Sequence, residues 1–117
     1  MDSILTSIKK LLGITEEYEH FDSDLIMHIN TTFMFLSQIG IGPERGFFVI
    51  DKADLWTDFL PEDYPNFEAV KTYVYMRVKQ MFDPPNNSVV ADSTQRLITE
   101  LEWRLNSEAE RGGSIDV

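Results

Sequence analysis

Cysteine is absent from this sequence, so neither a disulfide framework nor a thiolate zinc site is open to it, which suits a reducing compartment. Basic residues are scarce. Ten Lys and Arg stand against twenty Asp and Glu, a formal net charge of -10. Nucleic-acid binding draws most of its affinity from replacing counterions with Lys and Arg, and no basic cluster here exceeds the pair Lys9-Lys10. DNA is therefore not expected to bind specifically. Long apolar runs are missing too: each is broken by Lys, Asn, Gln or Asp well before the roughly 20 residues that a membrane span needs. Met1-Asp2-Ser3 lacks the basic start of a signal peptide, and the expected location is cytosolic, with no membrane partner.

Constellations that carry chemistry are also lacking. His20, Asp22, Asp24 and His28 form the one grouping of metal-ligand types, with Asp24 and His28 sharing a helix face at i, i+4. Asp22 and Asp24 are better explained as cap and first-turn acids favoured by the helix dipole. Twenty acids in 117 residues make close carboxylate pairs unavoidable, and no nucleophile is placed to use them. No catalytic residue, cofactor or metal is assigned, and no enzymatic activity is expected.

What the chain does have is helical period and firm punctuation. Its length and 43% hydrophobic content match one small domain, which buries roughly two-thirds of the surface its unfolded chain exposes. Ile4, Leu5, Ile8, Leu11 and Leu12 make the stripe of a short helix that Gly13 can end in a left-handed cap. After the acidic loop Thr15 to His20, Asp22 or Ser23 can cap a second helix with the face Leu25, Ile26, Ile29, Phe33, Leu36 and Ile39, stopped at Gly40. Between Gly40 and Asp51 the period changes, and Phe47-Phe48-Val49-Ile50 is a brief β-prone run. It either packs on the domain core or pairs across subunits.

Leu55, Trp56, Phe59 and Leu60 read as an apolar plug of one or two helical turns ended by Pro61. Asn66 is then a cap for what is expected to be the longest helix, about Phe67 to Phe82, with Phe67, Val70, Val74, Val78, Met81 and Phe82 on one face. Asp83-Pro84-Pro85 must stop it, because each proline removes a backbone donor and the first pushes Asp83 out of the helical region. Asn87 or Ser88 restarts the chain. The last helix places Leu97, Ile98, Leu101, Leu105 and Ala109 inward, with Asp92, Arg96, Glu100 and Arg104 as a charged ladder. The expected architecture is all-α: a small bundle of four to five helices with one short extended segment in the loop after the second. Residues 1–107 are expected to form the domain and residues 108–117, with Gly112-Gly113, a flexible tail.

Met27, Met34 and Phe35 add apolar surface beyond what one core contact requires, as does Tyr73 beside the stripe of its helix. With Phe48, Trp103 and Arg104 they are the candidate interface residues, since interfaces are enriched in aromatics and Arg. Asp83, Pro84 and Pro85 are the candidate structural corner.

Several segments, in order, carry a resemblance to a known family: Ile8-Lys9-Lys10-Leu11-Leu12-Gly13-Ile14, Phe21-Asp22 with Ile29-Asn30, and Gln38-Ile39-Gly40-Ile41-Gly42. Trp56-Thr57-Asp58-Phe59, Val70-Lys71-Tyr73-Val74, Phe82-Asp83-Pro84-Pro85 and Glu100-Leu101-Glu102-Trp103-Arg104-Leu105 follow. The chain resembles the small head-tail connector (adaptor, or DNA packaging) proteins of long-tailed phages and prophages of Gram-positive bacteria. The resemblance implies a structural virion protein that forms a ring of its own copies, usually twelve-fold, beneath the portal protein. It further implies contact with a stopper or tail-completion protein, genomic DNA passing through without specific binding, and a place in the virion neck after assembly in the host cytoplasm. Another phage neck or tail-completion role, or an acidic DNA mimic, is the alternative.

Overall fold

Ser3 starts the first helix, its hydroxyl accepting the Thr6 N–H at 3.2 Å. This computed structural model describes residues 3–115, with side chains described through Ala109; among them are five helices and no strand. Helix α1 spans Ile4–Leu12 and ends at Gly13, whose φ of 83° is the left-handed cap that the sequence predicts. The Gly13 and Ile14 N–H groups return to the carbonyls of Lys10 and Lys9.

Helix α2, Asp22–Gln38, begins differently from expectation. Phe21 occupies the cap position, and no side chain accepts a hydrogen bond there. The Asp22 carboxylate instead lies 2.8 Å from the ammonium of Lys9. Lys9 is 2% exposed, and its Nζ also donates to the carbonyls of Glu16 at 2.9 Å and Tyr18 at 2.7 Å. An ammonium has three N–H donors, and here three oxygens stand around it. Burial of the charge is thereby matched, and the acidic loop is folded down onto α1.

The extended segment 47–50 has no strand partner among the described residues and packs on the domain through Val49, which is buried. Its anchor is Asn30 of α2, which donates to the Val49 carbonyl at 3.0 Å and accepts the Val49 N–H at 2.7 Å. One side chain thus supplies both hydrogen bonds that a neighbouring strand would have given. Phe47 turns inward to Phe33, which stacks on Phe59 at 4.3 Å and meets Trp56 edge-on at 6.2 Å. Gly42 is required beside this group: its φ is 99°, and a Cβ there would sit 2.5 Å from a ring carbon of Phe59.

Helix α3, Trp56–Phe59, forms the plug and buries both aromatic residues. Helix α4, Phe67–Phe82, follows Asn66, which sits at φ 67° and makes no side-chain cap bond, contrary to the expected role. Asp83 leaves the helical region at φ -142°, ψ 70°, as the prolines after it demand. Asn87 then caps helix α5, accepting the Val89 N–H at 2.8 Å. This helix, Ser88–Ile115, is the longest at 28 residues and runs past the boundary expected at residue 108. Residues 116–117 of the expected tail lie outside the described residues.

The central pair is α2 against α4, with α5 on the far side of α4 and α1 closing over both. Leu25, Ile29, Phe33 and Leu36 of α2 meet Val70, Tyr73, Val74 and Val78 of α4 in one core. From α5, Ile98 and Leu105 are buried and Leu101 partly so, whereas Leu97, expected inward, is 47% exposed. Ile98, Leu101 and Leu105 at i, i+3, i+7 set the inward line, and Leu97 is rotated about 100° away from Ile98.

Three variants test this frame. Lys9→Met strands Asp22 and two carbonyls and is expected to lower the unfolding free energy by about 3 kcal/mol in urea titration, with Asp22→Asn, at the wetter end of the pair, costing less. Replacing Pro84 and Pro85 with Ala frees the unfolded chain and lets α4 run on. Together these are expected to cost about 1–2 kcal/mol, with helix content by circular dichroism undiminished.

Candidate assembly surface

Met27, Thr31 and Met34 fall at i, i+4, i+7 on the side of α2 that faces away from the core, and both methionines are exposed. Asn30 lies beside this line, one position in three or four from each methionine. Its clamp on Val49 therefore sets the extended segment alongside the methionine stripe. Alternation does the rest: Phe47 and Val49 turn in, while Phe48 and Ile50 turn out, Ile50 to 79% exposure. Asp54 holds the end of this segment, its Oδ2 accepting the N–H of Ile50 at 2.7 Å and of Asp51 at 3.2 Å. The outcome is an apolar face built from a helix and the extended segment that follows it.

A second exposed feature lies on α5. Trp103 is 70% exposed and borders a shallow groove with Ala69, Leu101 and Leu105, between the starts of α4 and the outer half of α5. Arg104 beside it pairs with Glu100 at 2.8 Å; both are largely exposed, so this ion pair contributes little to stability. At the corner itself, Pro84 and Pro85 join Tyr75, Met76 and Val90 in a further apolar groove.

Two candidates are drawn inward, Tyr73 fully and Phe35 in part. Tyr73 is 0% exposed, because α5 covers the side of α4 that carries it, and its hydroxyl donates to Glu102 Oε2 at 2.8 Å. Phe35 is half-buried against it, with its ring 5.7 Å beneath the Arg77 guanidinium, and Arg77 in turn lies 3.7 Å from Glu102. These four side chains bind α2, α4 and α5 together. Burial, with the Glu102 carboxylate beside it, pushes the Tyr73 hydroxyl well above the ordinary tyrosine range. Tyr64 is raised in the same direction by burial and by Glu108.

His20 packs edge-on to Phe21 at 5.0 Å, and Asp22 is engaged with Lys9. Among the described residues no three His, Cys, Asp or Glu come together in a way that could hold a metal ion. No described helix is long and apolar enough to cross a membrane. The outward turn of Ile50 and the Asn30 clamp were not anticipated. Alternation along 47–50 carried the signal for the first; nothing local marks Asn30.

The family model for the phage connector protein matches residues 4–112, from the first residue of α1 to far along α5. The chain belongs to the phage connector protein family. No curated protein and no solved structure matches it. As a phage connector-type structural protein, it assembles with other virion proteins.

Tyr73→Phe separates core from surface. Losing a hydrogen bond to a charged acceptor that keeps Arg77 is expected to cost about 1.5 kcal/mol at neutral pH. The native hydroxyl ionises above its unfolded value, so this contribution is complete below about pH 10 and is lost as pH rises beyond it. In urea titrations the wild-type protein should therefore lose stability above about pH 10 more steeply than the Phe variant.

Proposed function

We propose that this connector protein is a head-tail adaptor. Copies of it assemble as a ring beneath the portal protein, in the virion neck, and join the DNA-filled head to a stopper or tail-completion protein. The observation that carries the reading is the family match across the whole helical fold, and it is supported by where the uncovered apolar side chains fall. The Met27–Met34 stripe with Phe48 and Ile50 is one contact surface, and the Trp103 groove is another. A ring component needs at least two different surfaces for its neighbours and more for the proteins above and below.

Charge fits the same role. A ring of about twelve copies at -10 each would carry on the order of -120 formal charges, so a passing genome meets repulsion from its wall instead of adhesion. Free copies would gather in the host cytoplasm before joining heads. In this reading the domain ends near residue 108, and the last turns of α5 are an arm toward a partner.

The test uses DNA-filled heads that lack the adaptor. Trp103→Ala should leave the melting temperature unchanged, since the ring is mostly in solvent, and weaken attachment by about 2 kcal/mol, roughly thirty-fold. Normal yields of tailed particles with this variant, and with Met27→Ser/Met34→Ser, would refute the assignment of these faces.

A further inference from the structure

Copies carrying -10 each repel one another, so a stable contact between them needs a place where opposite charges meet. Most described cations already hold an acid of their own chain: Lys9 with Asp22, Lys71 with Glu68, Arg77 with Glu102, Lys79 with Asp83 and Arg104 with Glu100. Lys10, Arg45, Lys52 and Arg96 are exposed, and among the described residues none of the four is in ion-pair contact with an acid; of these, Lys10 and Lys52 come together in one groove. In a chain with twice as many acids as bases, that is unexpected. The acids nearest Lys52 in sequence are committed elsewhere: Asp54 accepts the N–H groups of Ile50 and Asp51, and Asp51 accepts that of Ala53 at 2.8 Å.

Both lysines line one groove, between α1 and the loop that follows the extended segment, with Ser3, Thr6 and Ser7 supplying hydroxyls and Glu16 at the rim. The Ile4 N–H bond to the Asp54 carbonyl at 3.0 Å and the Ser3–Leu55 bridge tie the two walls, so the lysines are held by ordered backbone. A feature of opposite character stands elsewhere on the chain. Glu62 and Asp63 are adjacent and exposed in the turn between α3 and α4, and neither is in ion-pair contact with a cation among the described residues. Pro61 and Pro65 flank them, and the Tyr64 N–H closes the turn on the Pro61 carbonyl at 3.0 Å. A turn restrained in this way loses little freedom on docking.

We propose that the Lys10–Lys52 groove receives the Glu62–Asp63 turn of a second copy of this chain. The contact joins two different surfaces, the head-to-tail type that closes into rings, and it rests on the ring reading above. Duplex DNA is the poorer occupant, since two lysines displace only about two counterions against the field of an acidic protein. Ion pairs of this kind set register and partner choice, while the apolar faces supply most of the affinity.

The experiment is sedimentation of the full chain at low and high salt, with two charge-reversed variants, Lys10→Glu/Lys52→Glu and Glu62→Lys/Asp63→Lys. All four positions are exposed, so melting by circular dichroism should be unchanged. Each variant alone is expected to self-associate about tenfold more weakly than wild type, and the loss should shrink at high salt. An equimolar mixture of the two should recover association, because every groove then faces a turn of opposite sign. Association unaffected by the reversals, or a mixture no better than its components, overturns the proposal and leaves the ring reading standing. A wild-type chain that stays monomeric at all concentrations overturns both. Duplex DNA that binds the wild type and not the lysine variant would make the groove a phosphate site and overturn the pairing.

Discussion

The ammonium of Lys9 holds the first third of the molecule in place. A charge at 2% exposure is tolerated only when its donors are all met, and the three oxygens that meet it come from Glu16, Tyr18 and Asp22. The acidic stretch after Gly13 would otherwise be repelled into solvent by its own charge. Anchored by its backbone carbonyls, it delivers Phe21 to the ring of Phe82 at 5.1 Å and so joins the start of α2 to the end of α4. The proline corner then begins from a fixed point.

Elsewhere the fold replaces sheet by single-residue devices. Asn30 supplies the paired hydrogen bonds that segment 47–50 would need from a strand, and Phe33 supplies the ring on which Phe47 and Phe59 settle. The segment is thereby held against α2 with its alternate side chains outward. An exposed β-prone edge usually risks pairing with other chains. Here its polar groups are partly engaged by Asn30 and Asp54, and what remains outside is apolar side chain suited to a chosen partner.

Charge and apolar surface are separated on this chain. Acids are spread over loops and first turns and set the long-range field, whereas exposed apolar side chains gather on a few faces, Met27 and Met34 with Phe48 and Ile50 among them. Tyr73 and Phe35 do not take part outwardly, because α5 and the Arg77–Glu102 pair close over them. The surplus apolar width of α4 at Tyr73 is used within the chain, and so is Phe35 of α2, whereas Met27 and Met34 stay exposed.

Residues acting on their own backbone neighbourhood were legible from sequence. The Gly13 cap, the Asp83 stop, a restart at Asn87 or Ser88, the helical stripes and the buried plug at Trp56 all follow from conformational preference or period within a few positions. The all-helical class and the family likeness follow from them. Where partners lie far along the chain, sequence by itself was insufficient. Lys9 looked like half of a small basic pair, Asp22 like a helix cap, Asn66 like another, Tyr73 like surface and Leu97 like core. Asn30 stood out only within the family likeness, with no hint of what it would hold. Each of these was decided by which element lay across from it: Asp22 had a buried ammonium to satisfy, Tyr73 was covered by α5, and Leu97 stood 100° from the line that α5 presents to α4. Periodicity places a side chain on a face of its own helix; only tertiary packing determines what that face meets.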